Sequence, residues 1–144
     1  MATIPSSVLA LDVGAVRVGV AVASVEARLP RPLITLAQDD TLFGALEAII
    51  EVENVRAIVI GYPRGMQGQH TAQTATIEHF VQLLKQHIPL PMHYQDEALT
   101  SKHARAELEA RGKPYAKGDI DALAANYILE DFLQEHPNIA KEIE

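Results

Sequence analysis

Residues 7–24 read SVLALDVGAVRVGVAVAS, almost wholly apolar. Two Val-rich runs, Val8–Val13 and Val18–Ala23, stand on either side of Gly14. A glycine between two strand-like runs offers a tight turn, so the stretch reads as a β-hairpin. Asp12 stands in the first run behind four apolar residues. An unpaired buried carboxylate costs roughly several kcal/mol unless it is neutralised, paired or bound to a metal. The same stretch therefore opens the fold and marks a candidate site.

Reading onward, Leu33–Leu36 follows the Pro30-Arg31-Pro32 break and forms a third strand. Apolar residues then fall at Leu42, Leu46, Ile49 and Ile50, a helical spacing behind an Asp39 or Asp40 cap. Ala57–Ile60 is a short continuous apolar strand of the kind buried on both faces, stopped by Gly61-Tyr62-Pro63. A loop with Gly65 and Gly68 precedes a helix from about Thr71 to His87, striped by Ile77, Phe80, Val81 and Leu84. Met92–Gln95 is a fifth strand. A helix capped by Thr100 or Ser101 runs to about Arg111, with Gly112 at its C′ position. The last helix runs from Asp119, read as its N-cap, to about Glu135. Three strands followed by alternating β and α units give an α/β fold. It has a mixed five-stranded sheet (three antiparallel strands, then βαβα) with helices on both faces. This layout resembles RNase-H-like domains.

The 144 residues suit one domain spanning 1–144. Cysteine is absent, which excludes disulfides, a thiol nucleophile and zinc–thiolate sites. The start MATIPSS carries no charged segment followed by an apolar one, and no apolar run approaches the roughly 18 residues of a membrane span. These features predict a cytoplasmic protein with no membrane association. The net charge of −7 speaks against indiscriminate nucleic-acid binding. However, Lys102, Arg105, Arg111, Lys113 and Lys117 gather in one segment, and acids gather towards the C-terminus. The six histidines lack metal-site spacing and read as surface or helix residues.

Three acids are candidates for chemistry. Asp12 lies in the first strand, Glu97 just past the last strand, and Asp121 in the first turn of the final helix. Sites in open α/β sheets form beyond the carboxyl ends of parallel strands, which brings Asp12 and Glu97 to one end. Asp121 heads a stripe that continues through Ala125, Ile128 and Phe132, and Ala124 and Ala125 let this helix approach the sheet closely. Gly14 and Gly19 read as backbone geometry and close helix approach. Converging carboxylates repel, and Mg2+ or Mn2+ removes that cost because hard cations prefer oxygen ligands. Such ions can activate a water and stabilise the leaving oxygen in phosphodiester cleavage. The plainer alternatives are an Asp12–Arg17 ion pair, Asp121 as an ordinary helix acid and Glu97 as a surface residue.

Four motifs carry a resemblance to a known family. LALDVGAVRVGVAVA resembles the opening Asp-x-Gly-x-x-Arg-x-Gly-x-Ala element of the YqgF (RuvX) family, RNase-H-like proteins related to RuvC-type Holliday junction resolvases. IVIGYPRGMQGQHTAQT resembles its Gly-x-Pro-rich loop, YQDEALTSKHA its Asp-Glu-x-Leu-Thr element, and DALAANYILEDFL its closing helix. The resemblance implies a nuclease acting on the 5′ end of pre-16S rRNA in ribosome biogenesis. It implies Asp12, Glu97 and Asp121 as catalytic, metal-binding carboxylates, and structured RNA or ribosomal precursor particles as partners. The implied alternative is a resolvase-like endonuclease on branched DNA; a non-catalytic adaptor with a vestigial site is a third reading. Two departures stand out: Ala98 replaces the usual Arg, and the glycine loop reads Arg64-Gly65-Met66-Gln67-Gly68. The expected substrate contacts are Arg17, Arg64, Gly65, Gly68, Thr100, Lys102, Lys113 and Lys117.

Overall fold

The computed structural model describes residues 4–63, 71–97 and 100–143. In chain order the elements are β1 (Ser7–Val13), β2 (Arg17–Ser24), β3 (Arg31–Ala37), α1 (Leu42–Glu53) and β4 (Val55–Tyr62). They continue with α2 (Ala72–His87), β5 (Met92–Asp96), α3 (Thr100–Ala110), α4 (Lys117–Glu135) and a short α5 (Ile139–Glu142). The sheet order is β3-β2-β1-β4-β5. β1 pairs antiparallel with β2, and β2 antiparallel with β3. β4 lies parallel to β1, and β5 parallel to β4. The mixed five-stranded sheet expected from the sequence is thus present.

Side-chain alternation sorts each strand between two layers. Leu9 and Leu11, with Val18, Val20 and Val22, pack with Leu42 and Leu46 of α1 and with Ile77, Phe80, Val81 and Leu84 of α2. Val8 and Ala10, with Ala21, Ala23 and Val59, pack under Ala125, Ile128, Leu129 and Phe132 of α4. The α1/α2 face is therefore built of large aliphatics, and the α4 face largely of small residues. α3 rests on α4 through Ala104, Leu108, Ile120, Leu123 and Ala124. At the far end of α4, the Arg28 guanidinium donates to the carbonyls of Leu133 and His136, supplying the cation that a helix C-terminus favours.

Several element ends differ from expectation. β3 begins at Arg31 and includes Pro32, paired with Ala21. A proline is tolerated there because β3 is an edge strand. β4 runs on through Gly61 to Tyr62 instead of stopping at Ile60. Thr41, not an aspartate, holds the cap position of α1, while the Asp39 carboxylate accepts from the Thr41 amide and hydroxyl. α4 starts two residues early, so Asp119 lies inside its first turn and accepts from the Ala116 amide. α5 was not anticipated. Thr71 caps α2 in a reciprocal pair with Thr74.

Gly44 lies inside α1, and a Cβ there would meet nothing within 4 Å. Gly44→Ala is therefore expected to stabilise the protein by about 1 kcal/mol, read as a thermal midpoint raised by about 3 °C.

Candidate active site

Continuing the alternation of β1, Asp12 follows Val8 and Ala10 onto the α4 face. Its partner across the ladder is Gly19 of β2, and Gly19 in turn pairs with Thr35 of β3. On the other side Leu11 pairs with Ile60, so Gly61 of β4 stands beside Asp12. Asp12 is thus flanked on both neighbouring strands by a glycine.

Each glycine admits one partner acid. A Cβ on Gly19 would lie 2.0 Å from the Asp121 carbonyl oxygen and 2.8 Å from the Ala122 amide nitrogen. Only a glycine lets the first turns of α4 rest backbone to backbone on β2, and this contact brings Asp121 to the site. The Thr35 hydroxyl secures the same turn by donating to the Gly118 carbonyl. A Cβ on Gly61 would lie 2.5 Å from Glu97 Oε2 and 2.6 Å from Ile128 Cδ1. The Glu97 carboxyl therefore occupies the space that Gly61 leaves open, and from there it reaches Asp12.

Asp12 and Glu97 share a hydrogen bond. Burial pushes the Asp12 carboxyl up to about 6; the bond from Glu97 offsets part of this, and the charge of Asp121 adds to it. Burial likewise raises Glu97, to about 8, helped by the charge of Asp12, the hydrogen bond to it and the charge of Asp96. A hydrogen bond between two carboxyls needs a proton on one of them, so the two form a proton-sharing pair. Both groups bind protons more tightly folded than unfolded, so their contribution to stability is greatest in acid. It is lost as the pH rises through about 6 to about 8. The metal-free protein is expected to show a falling thermal midpoint from pH 5 to pH 9, and an oxygen-seeking cation should flatten that decline at its alkaline end.

The third acid is held differently. Asp121 Oδ2 accepts from Arg17 Nε at 2.6 Å, with the two side chains 39% and 22% exposed. The ion pair considered for Asp12 thus belongs to Asp121. Among the described residues no three His, Asp or Glu side chains are grouped to hold one ion. The expected trio is a proton-sharing pair plus a third carboxylate turned to an arginine.

The other expected contacts are placed unevenly. Thr100 is 5% exposed in the first turn of α3, and its amide donates to the Glu97 carbonyl. It supports Glu97 and is not open to a substrate in this conformation, contrary to the expectation of a contact there. Lys102 is exposed on α3, and Lys117 is exposed at the start of α4. Lys113 lines a groove of about 630 Å³ between β3 and the α3–α4 connection, together with Thr35, Tyr115 and Gly118. Arg64, Gly65, Gly68 and Ala98 lie outside the described residues. Of the histidines, His93 and His136 are half-buried against Phe132 instead of lying at the surface. Gly61 and Thr35 were missed as parts of the site. A glycine closing an apolar strand beside the aspartate's strand was the available signal.

Comparison with known proteins places this geometry. The sequence pattern of the family described as RuvX: Holliday junction resolvase matches residues 6–135. A protein of Chloroflexus aggregans named "Putative pre-16S rRNA nuclease" is 37% identical over 136 residues, covering 92% of this chain and 96% of its own. One of the same name from Amoebophilus asiaticus is 35% identical over 134 residues, covering 90% and 94%. Among solved structures, Thermus thermophilus RuvC in complex with a Holliday junction substrate superimposes with a TM-score of 0.57. The identity is 14%, and 92% of this chain and 97% of that one are covered. That likeness shows the RuvC-type, RNase-H-like fold. The chain belongs to the RuvX family of nucleases.

Proposed function

We propose that this chain is a divalent-cation-dependent endonuclease that cleaves structured RNA at the 5′ end of the small-subunit ribosomal RNA precursor. The observation that carries the reading is the Asp12–Glu97 pair, one carboxyl on β1 and one just past β5, sharing a hydrogen bond at the carboxyl end of the sheet. Two acids held this close suit a hard cation, which would take the place of the shared proton. Asp12 and Glu97 would hold it, with Asp121 beside them. Bound there, Mg2+ or Mn2+ supplies an activated water and a counter-charge for the leaving oxygen.

The chain's own groups supply the rest. The rigid strand β1 fixes Asp12, Gly61 leaves room for Glu97, and Arg17 offers a cation at the rim for a phosphate. Lys102, Lys113 and Lys117 add positive charge along α3 and the start of α4, on a chain that is otherwise acidic. Sequence likeness to proteins named for pre-16S rRNA favours RNA. The family's description favours branched DNA as the competing substrate.

The test offers the purified protein a pre-16S 5′-leader RNA and a four-way DNA junction, each with Mg2+, with Mn2+ and with a chelator. Cleavage of the RNA that the chelator abolishes is the expected result. Cleavage of the junction alone would transfer the activity to DNA, and cleavage of neither with any divalent ion would favour a binding role without catalysis.

A further inference from the structure

Among the described residues, Arg17 and Asp121 form the ion pair at the site, and its form has a consequence for cation binding. Arg17 opens β2, and Gly19, two residues on, is where the Asp121 backbone meets that strand. The Arg17–Asp121 contact uses Nε alone. Among the described residues, the two terminal amino groups of the guanidinium make no hydrogen bond. They form a planar fork of N–H donors suited to two phosphate oxygens. Asp121 meanwhile lies close enough to Asp12 for its charge to raise the Asp12 carboxyl, yet its own Oδ2 is turned to Arg17.

We propose that Arg17 is a latch that keeps Asp121 out of the cation cluster until a phosphate of the nucleic acid draws the guanidinium away, freeing Asp121 to join Asp12 and Glu97. This rests on the cation-dependent nuclease reading and adds to it the order in which the site is completed. Exchanging one anion for another on Arg17 keeps the guanidinium paired in both states. Nucleic acid and cation then strengthen each other's binding by the same factor, as linkage requires. Arg17 is thus both a phosphate contact and a positioning residue for Asp121. A free protein with an incomplete cluster binds cations weakly, and so is charged with metal chiefly where substrate is present.

The test is a cycle of Mn2+ affinities, measured calorimetrically on the intact chain without nucleic acid. Arg17→Ala is expected to tighten Mn2+ binding about 10-fold, because Asp121 is released. Asp121→Asn should leave the affinity of the otherwise unaltered protein within about 2-fold, yet remove the whole gain in the Arg17→Ala background, a non-additivity that a passive salt bridge does not produce. A product-length RNA with a 5′-phosphate should tighten Mn2+ binding of the unaltered protein about 10-fold and have no such effect on Arg17→Ala. Arg17→Lys, which keeps the charge but lacks the fork, should bind Mn2+ like the unaltered protein and lose most of the coupling to RNA. Thermal midpoints of all five proteins confirm that each is folded.

If Asp121→Asn weakens Mn2+ binding equally in both backgrounds, Asp121 is a standing ligand and the latch is wrong. Weaker Mn2+ binding by Arg17→Ala would also overturn it. Either result, alongside intact metal-dependent cleavage by the unaltered protein, leaves the nuclease reading standing. Absence of both cleavage and Mn2+ binding in the unaltered protein removes the nuclease reading, and the latch with it.

Discussion

Asp12→Asn is expected to lower metal-dependent cleavage by at least about 100-fold and, in the same protein, to raise the thermal midpoint without metal at pH 8. The two effects have one cause. Asp12 holds its charge in a half-buried position beside a second carboxyl; burial pushes both groups up, to about 6 and about 8, with the charge of Asp121 adding to it at Asp12 and the charge of Asp12 adding to it at Glu97. An amide has nearly the same shape and carries no charge. It can also donate to Glu97, whose carboxyl then returns towards its usual range. The unfavourable proton uptake disappears, and the decline in stability between pH 5 and pH 9 shallows. A gain of about 1 kcal/mol would appear as roughly 3 °C in a chain of this size. The oxygen that would hold a cation is lost at the same time. Thermal scans with and without Mn2+, paired with cleavage of the leader RNA, read both effects. A less stable variant would mean that Asp12 serves the fold, and full cleavage would remove it from the site.

Gly19→Ala is the second large effect, and it acts through the backbone. The added methyl would sit 2.0 Å from a carbonyl oxygen and 2.2 Å from a carbonyl carbon of Asp121, main-chain atoms that cannot rotate away. Either α4 lifts from β2 or β2 deforms. Such overpacking typically costs about 1–3 kcal/mol and sometimes more. A thermal midpoint lowered by roughly 3–10 °C is expected. Activity should fall further than that loss explains, because Asp121 leaves its place beside Asp12 and Arg17 loses its partner. Cleavage rates measured well below the variant's melting range separate the two. A midpoint within 1 °C of the starting protein would show that the α4–β2 contact is looser than described.

How much of this was legible in the sequence differs by element. The β1–β2 hairpin could be read because two Val-rich runs surround one turn glycine. The order of the β and α units followed from where the apolar period changed. Asp12 announced itself as a charge in an apolar strand, and Gly19 was rightly read as a helix-approach residue. Edges were harder. Pro32 suggested a break, yet an edge strand tolerates a proline whose missing N–H costs no ladder bond, so β3 began earlier than expected. Gly61 suggested a strand end because its use is to leave room for Glu97, a residue 36 positions away that no local pattern connects to it. The partner of Arg17 was open for the same reason. Asp12 is near in sequence, whereas Asp121 is 104 residues distant and arrives only when α4 lies down on the sheet.

The two layers on the sheet differ in compliance. Between the sheet and α1/α2 stand leucines, isoleucines and valines, long enough to change rotamer and absorb a small displacement of either helix. Between the sheet and α4, at the level of the carboxylates, Gly19 lets the Asp121 backbone rest directly on β2 with no side chain between them. A shift of α4 there has nothing to cushion it and passes directly into the distance of Asp121 from Asp12. Substitutions beneath α1 and α2 should register mainly as changes in stability, while changes in the first turns of α4 should lower activity by more than their loss of stability explains. The molecule is soft on the side that only folds and stiff on the side that carries the acids.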